Sequence, residues 1–169
     1  MVPAAMTAIV AQPTIVYDDD CGFCRWTLAQ LLTWDRRGRL RLVALQEPEA
    51  DVLLAGVGEA ERMASAHLVL EDGTVLSGGR GAARVAELLP GGAPLAFVAG
   101  ALGDEAVDRA YRAVADRRTT FGRFVRPGWK QWADSVIARR RARQAPPVAS
   151  SIFNAATSAA ASRSERATK

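Results

Sequence analysis

The stretch "IVYDDDCGFCRWTLAQLL", residues 15–32, decides the fold. A short apolar run ends in three aspartates, and the only two cysteines of the chain follow with two residues between them. Behind them Cys24, Leu28, Leu31 and Leu32 recur on one helical face, with Arg25 and Gln30 off it. The spacing predicts a buried strand over 14–18 feeding a helix over 21–35. "RRGR" at 36–39 ends that helix, and Gly38 suits a left-handed cap.

Outward from there, "LRLVALQ" (40–46) reads as a second strand, followed by a short helix over 48–54 and a Gly-containing loop. "AHLVLEDGTVLSGG" (66–79) reads as a hairpin turning at Asp72-Gly73, with both central residues at positive φ and Gly78 and Gly79 closing it. "RGAARVAELLP" begins a helix that Pro90 stops, and a weakly marked helix covers 94–102. "DEAVDRAYRAVADRR" has acids first, arginines last, and an apolar stripe of Val107, Ala110, Tyr111 and Val114. After a joint at 119–126, Pro127 opens an amphipathic helix carrying Trp129, Trp132, Ala133, Val136 and Ile137 on one side. That helix either docks on the domain or, through the arginines at 139, 140, 141 and 143, meets a membrane surface or partner.

The order strand, helix, strand, helix, strand, strand, helix is α/β: a parallel crossover, an antiparallel hairpin and covering helices. That is a thioredoxin-like three-layer sandwich, here with a helical C-terminal extension. The reading divides the chain into a flexible N-terminus (1–13), the thioredoxin-like domain (14–118), the helical extension (119–144) and a disordered tail (145–169) in which 13 of 25 residues are Ala or Ser.

Composition narrows the function. The 169 residues are 49% hydrophobic, enough for one core, so the fold rests on burial and not on a disulfide framework. The net charge of +4 is misleading: residues 139–169 hold seven Lys/Arg against one Glu, leaving 15 basic against 17 acidic residues before them. A basic end on a slightly acidic domain argues against nucleic acid as a partner. The N-terminus lacks the basic and uninterrupted apolar regions of a secretory signal, and no segment has the length of a membrane span, so the expectation is a cytoplasmic protein.

A C-x-x-C pair in the first turn of a helix puts its first sulfur beside unpaired N–H groups and the positive end of the macrodipole, which stabilise a thiolate. Cys21 is then the attacking thiolate and Cys24 the resolving thiol one turn in. Gly22 and Phe23 between them give backbone freedom and an apolar lid. The three aspartates oppose that activation by like-charge repulsion, and Arg25 offsets part of it. Asp20 serves either as helix N-cap or in proton transfer, and Asp18 at the strand end is placed to take the Cys24 proton. Candidate groove residues are Phe23, Arg25, Trp26, Gly79 and Arg80; the glycines at 78, 79 and 81 either hold a carboxylate on backbone N–H groups or serve a tight turn and close packing. His67, the single histidine, reads as a packing or hydrogen-bonding residue.

Competing readings use the same residues. A zinc site lacks two of its four ligands. Asp18-x-Asp20 after an apolar strand also opens haloacid-dehalogenase-type phosphatases, but both lysines, Lys130 and Lys169, lie in the basic end. A non-enzymatic module would present the groove or the tryptophan helix to a partner.

"VYDDDCGFC" and the helix after it resemble the DCC family of thiol-disulfide oxidoreductases, with further likeness in "HLVLEDGTVLSGGRGAARVAELLP" and "AVDRAYRAVADRRTTFGR", roughly residues 14–124. The resemblance implies a thioredoxin-like fold and disulfide reductase or exchange activity, with Asp20, Cys21 and Cys24 as motif residues and Asp18 on an acidic position. Asp19 stands where a glycine is more usual. The glycine pair also resembles the glutathione-binding glycines of glutaredoxins, yet "MASAHLVL" has no proline where thioredoxins and glutaredoxins place a cis-proline. The expected activity is protein-disulfide reduction needing no cofactor beyond the cysteine pair. Its partners would be a protein or small-molecule disulfide and an electron donor such as a thioredoxin system or a low-molecular-weight thiol. A weak membrane-surface contact through the basic helix is the remaining partner expectation.

Overall fold

The computed structural model describes residues 10–144. The expected Ala/Ser-rich tail, and the N-terminus as far as residue 9, lie outside the described residues. A four-stranded sheet of order β2-β1-β3-β4 is built from β1 (Thr14–Tyr17), β2 (Arg41–Ala44), β3 (His67–Val69) and β4 (Val75–Ser77). β1 and β2 run parallel with Tyr17 opposite Ala44, while β3 is antiparallel to both β1 and β4. The parallel pair is joined through α1 (Gly22–Trp34).

All four residues of β1 and of β2 are buried, as expected of strands covered on both faces. Alternation then sorts the side chains. Ile15, Tyr17, Leu42, Ala44 and Leu68 face one cluster with Leu28 and Leu32 of α1, Val85 of α4 (Gly78–Leu88) and Ile137 of α8 (Pro127–Arg141). Val16, Val43 and Val69 face the other, with Ala50 and Leu53 of α2 (Pro48–Leu53), and Val10 joins them from the N-terminal segment. Helices therefore cover both faces of a mixed sheet, and the fold is thioredoxin-like with a helical C-terminal extension.

Two buried ion pairs tie the layers. Arg41 on β2 grips Glu49 on α2 through two 2.7 Å bonds, with both residues at most 6% exposed. Asp35, 1% exposed at the end of α1, accepts the Arg39 and Leu40 N–H groups at 3.0 Å and pairs with Arg140 of α8. Burial works against the charge on Asp35 most strongly, but those hydrogen bonds together hold its carboxyl below the usual range. α8 packs along α1, burying Ala133 and Ile137, and spends Arg140 on Asp35 and Arg141 on Glu47. Of the two readings of this helix, the structure has the docked one. Among the described residues no helix is long and apolar enough to cross a membrane.

Four local expectations change. The loop before β3 contains α3 (Glu59–Ala64), and the joint before α8 contains α7 (Arg118–Phe124). The hairpin turns through three residues, with Gly73 alone at positive φ (81°) and its N–H on the Leu70 carbonyl. Asp72 keeps an ordinary φ because its carboxylate accepts the Thr74 N–H, which also lowers its pKa. Gly78 does close the hairpin, with its N–H on the Ala66 carbonyl at 3.1 Å, but α4 already starts there and not at the expected Arg80. The two remaining helices, α5 (Ala93–Leu102) and α6 (Asp104–Ala115), pack against α4.

Candidate active site

β1 runs out at Tyr17, and the chain crosses Asp18-Asp19-Asp20 before α1 begins. Cys21 is the N-cap of α1 in extended conformation, and its sulfur accepts the Cys24 N–H at 3.2 Å. The N-cap expected of Asp20 is thus taken by the cysteine itself, because the helix starts one residue later, at Gly22. Cys21 and Cys24 form a disulfide with Cα atoms 5.2 Å apart. Both are only partly buried.

The aspartates are ordered by a side chain with no marked signal in the sequence. Gln46, just past β2, donates to Asp18 Oδ1 at 3.0 Å and Asp20 Oδ2 at 3.1 Å, and accepts the Asp19 N–H at 3.3 Å. Asp18 Oδ1 also accepts the Asp20 N–H at 3.1 Å. This folds the loop so that an Asp18 carboxylate oxygen and both sulfurs lie within 4.8 Å of one another. Asp20 is exposed and points its carboxylate to Gln46, outside that cluster. Tyr17, beneath the loop, has its pKa pushed up to about 12 by burial first and by the Asp19 charge second.

Two cations stand near the loop, one on α1 and one on α8. Arg25 lies 3.6 Å from Asp19 and also pairs with Asp134 of α8. Lys130 Nζ lies 3.8 Å from the point where a Cβ on Gly22 would stand, at the N-terminus of α1. On the same side Trp26 stacks on Trp129 at 6.0 Å, and Phe23 meets Phe121 of α7 at 5.4 Å. Arg25 and Trp26 therefore fasten α1 to α8, and neither lines the pocket on the opposite side.

The open side is a pocket of about 520 Å³ with Cys24, Asp18 and Phe23 at one end. Its walls come from β1, α1, α4 and α6, and Gly79 is among them. The stripe Val107, Ala110, Tyr111 and Val114 faces this pocket, which is why Val114 is 46% exposed. α6 comes this close because the helix opposite starts with glycines: a Cβ on Gly79 would stand 2.7 Å from Asp108 Cα. Asp108 accepts the Gly79 N–H at 2.9 Å, so the carboxylate at the head of α4 is supplied from within the chain. Of the two readings of these glycines, the structure shows close packing and a carboxylate together. Tyr111 accepts the Ala66 N–H at 2.9 Å, and burial raises its pKa. Arg80 is exposed on α4, away from the pocket. His67 is 1% exposed, with Nδ1 2.9 Å from Ser77 Oγ and Nε2 3.2 Å from the Arg62 carbonyl, and burial lowers its pKa.

A disulfide of C-x-x-C spacing at the head of a helix that follows β1 of this sheet is the centre of a thiol-disulfide oxidoreductase. Residues 15–124 match the family described as DCC1-like thiol-disulfide oxidoreductase, and the chain belongs to it. No curated protein and no solved structure matches it. The redox group is the Cys21–Cys24 pair itself.

Proposed function

We propose that the enzyme runs as a reductase, with Cys21 attacking a substrate disulfide, Cys24 resolving the mixed disulfide, and Asp18 taking the Cys24 proton. The observation that carries this reading is the Asp18 oxygen within 4.8 Å of both sulfurs. A carboxylate at that distance destabilises a thiolate on either sulfur, which takes stabilisation from the reduced state, favours the disulfide and makes the couple more reducing. In the reaction Cys21 thiolate displaces one substrate sulfur as a thiolate. Cys24 gives its proton to Asp18 and attacks Cys21 Sγ, and the second substrate thiolate leaves with the pair oxidised. A dithiol donor of the thioredoxin type then returns two electrons. Glutathione is not that donor in our reading, because Asp108 and Tyr111 already use the Gly79 and Ala66 N–H groups. Asp20 acts through the loop it helps to fold, and the cytoplasm is the compartment in which the pair would be kept reduced.

The test is alkylation and intact mass after equilibration across thiol redox buffers. The expected result is one reversible two-electron step, lost in Cys21→Ser and in Cys24→Ser, with a potential at or below about −270 mV. A potential above about −180 mV would make the enzyme an oxidant or isomerase. A second reading rests on the same three groups, since a reduced pair and Asp18 offer three metal ligands. Pairing of the cysteines that is blocked by stoichiometric zinc would favour it.

A further inference from the structure

Apart from Cys24 and Asp18, the residues lining the pocket have no part in the electron path described above, and their chemistry is selective. About 520 Å³ is the volume of a small organic ligand and not of an extended peptide. Its walls are mostly apolar, with the Thr27 and Ser65 hydroxyls among them, and the polar groups between α4 and α6 are already engaged. Tyr111 holds the Ala66 N–H, Gly79 N–H is on Asp108, and Asp108 Oδ2 also accepts from Arg112. A peptide backbone or a glutathione would bury more amides there than the Thr27 and Ser65 hydroxyls can serve, which costs more than an apolar group of equal size. One cation on the lining is different. Arg118 of α7 donates to the Met63 carbonyl at 2.8 Å, and no carboxylate pairs with it among the described residues. The pocket thus offers the Cys24 half of the disulfide, mostly apolar walls, and a guanidinium with no carboxylate partner among the described residues.

From this we infer that the substrate is a small apolar disulfide carrying an anionic end group, its chain in the pocket and its anion on Arg118. The inference rests on the proposed reductase reading and names the substrate class for it. The mixed disulfide would place the apolar chain along Ala110 and Val114, while Cys24 attacks Cys21 Sγ and releases the second thiolate. Two substrate sulfurs are reduced, the Cys21–Cys24 pair is oxidised, and a dithiol donor re-reduces it.

The experiment measures kcat/KM of the full chain, with a dithiol donor, for lipoate, lipoamide and the small polar hydroxyethyl disulfide. The expected order is lipoate, lipoamide, hydroxyethyl disulfide, with about tenfold between the last two. Ala110→Trp, which fills the pocket from an exposed helix position, lowers the ratio of lipoate to hydroxyethyl disulfide about tenfold. Arg118→Ala brings the roughly two- to fivefold preference for lipoate over lipoamide to unity. If wild type reduces hydroxyethyl disulfide but shows no preference among the three, the pocket inference is overturned and the reductase reading stands. If Ala110→Trp leaves the ratio where it was, the pocket is likewise not the substrate site. If no disulfide turns over while the redox titration shows no two-electron step, both readings fall.

Discussion

Replacing Asp18 with Asn removes one charge and keeps an acceptor for the Asp20 N–H, so it isolates the electrostatic part of the site. Two unit charges within 4.8 Å interact by at least about 0.9 kcal/mol at the dielectric of water and about 3.5 kcal/mol at an effective dielectric near 20. Asp18 is half-buried, so the value lies between these limits, about 0.6 to 2.5 pKa units on a neighbouring thiol. Asp18→Asn should therefore lower the Cys21 pKa by that amount and raise the reduction potential of the pair. Rapid alkylation of Cys21 against pH, in a Cys24→Ser background, reads the shift directly. The resolving step should move the other way, because Cys24 has lost its proton acceptor. Quenching a single turnover in acid and weighing the protein should show the substrate–Cys21 mixed disulfide accumulating in Asp18→Asn and not in wild type. A Cys21 profile that does not move refutes the electrostatic argument. A shifted profile with no trapped intermediate refutes the proton-transfer role alone.

Arg140→Met should cost about 3 kcal/mol in urea unfolding, because it leaves the buried Asp35 carboxylate without its cation. Since the Asp35 pKa is depressed on folding, its contribution is fully present above the ordinary value near 3.8 and is lost as pH falls through the folded value. Arg140→Met should therefore flatten the acid limb of stability below about pH 4. Gly79→Ala should cost about 1–3 kcal/mol, since the new methyl meets Asp108 backbone at 2.7 Å, whereas Gly56→Ala meets nothing within 4 Å and should leave the urea midpoint nearly unchanged. His67 is held neutral by burial, so its stabilisation is present above pH 6.5 and lost as pH falls toward its lowered folded pKa. The urea midpoint of wild type should drop as pH falls below about 6.5, and His67→Asn should lose that slope.

The sheet order was legible because its signals are local. β1 and β2 are short, largely apolar runs and Asp72-Gly73 marks the hairpin, while Gly38 at φ 66° turns the chain after α1, whose C-cap is Asp35 and not the expected glycine. α3 and α7 were not legible, because neither is held by its own sequence. None of α3 is buried, and Arg62 fastens it by donating to the Asp51 carboxylate and to the Ala50 and Asp51 carbonyls of α2. α7 carries Gly122 at its centre and forms where Phe121 meets Phe23, with the Gly122 Cβ position 3.8 Å from the Phe23 nitrogen. Tertiary contacts override propensity in such short helices. The hairpin turn was misread for a related reason: an Asp that can bond the N–H two residues on has no need of positive φ.

Within the site the same distinction separates Cys21, Cys24 and Asp18 from Gln46, Lys130, Asp108 and Tyr111. The first three sit within seven residues of chain, and their chemistry follows from that spacing. The others arrive from β2, α8 and α6, and a helical stripe says that a face is apolar without saying what it covers. The glycines at the head of α4 show how much turns on this. Unpaired N–H groups at a helix start predict an anion, and an anion is there, but Asp108 brings it from thirty residues on. Once that carboxylate is internal, the residues that could greet a glutathione are occupied, and recognition must pass to the surfaces that remain open. Those are the apolar stripe of α6 and the guanidinium of Arg118. If the substrate is the one inferred above, specificity lies in the helices that cover the thioredoxin-like core, and variants in α6 and α7 should change which disulfide is reduced more than whether one is.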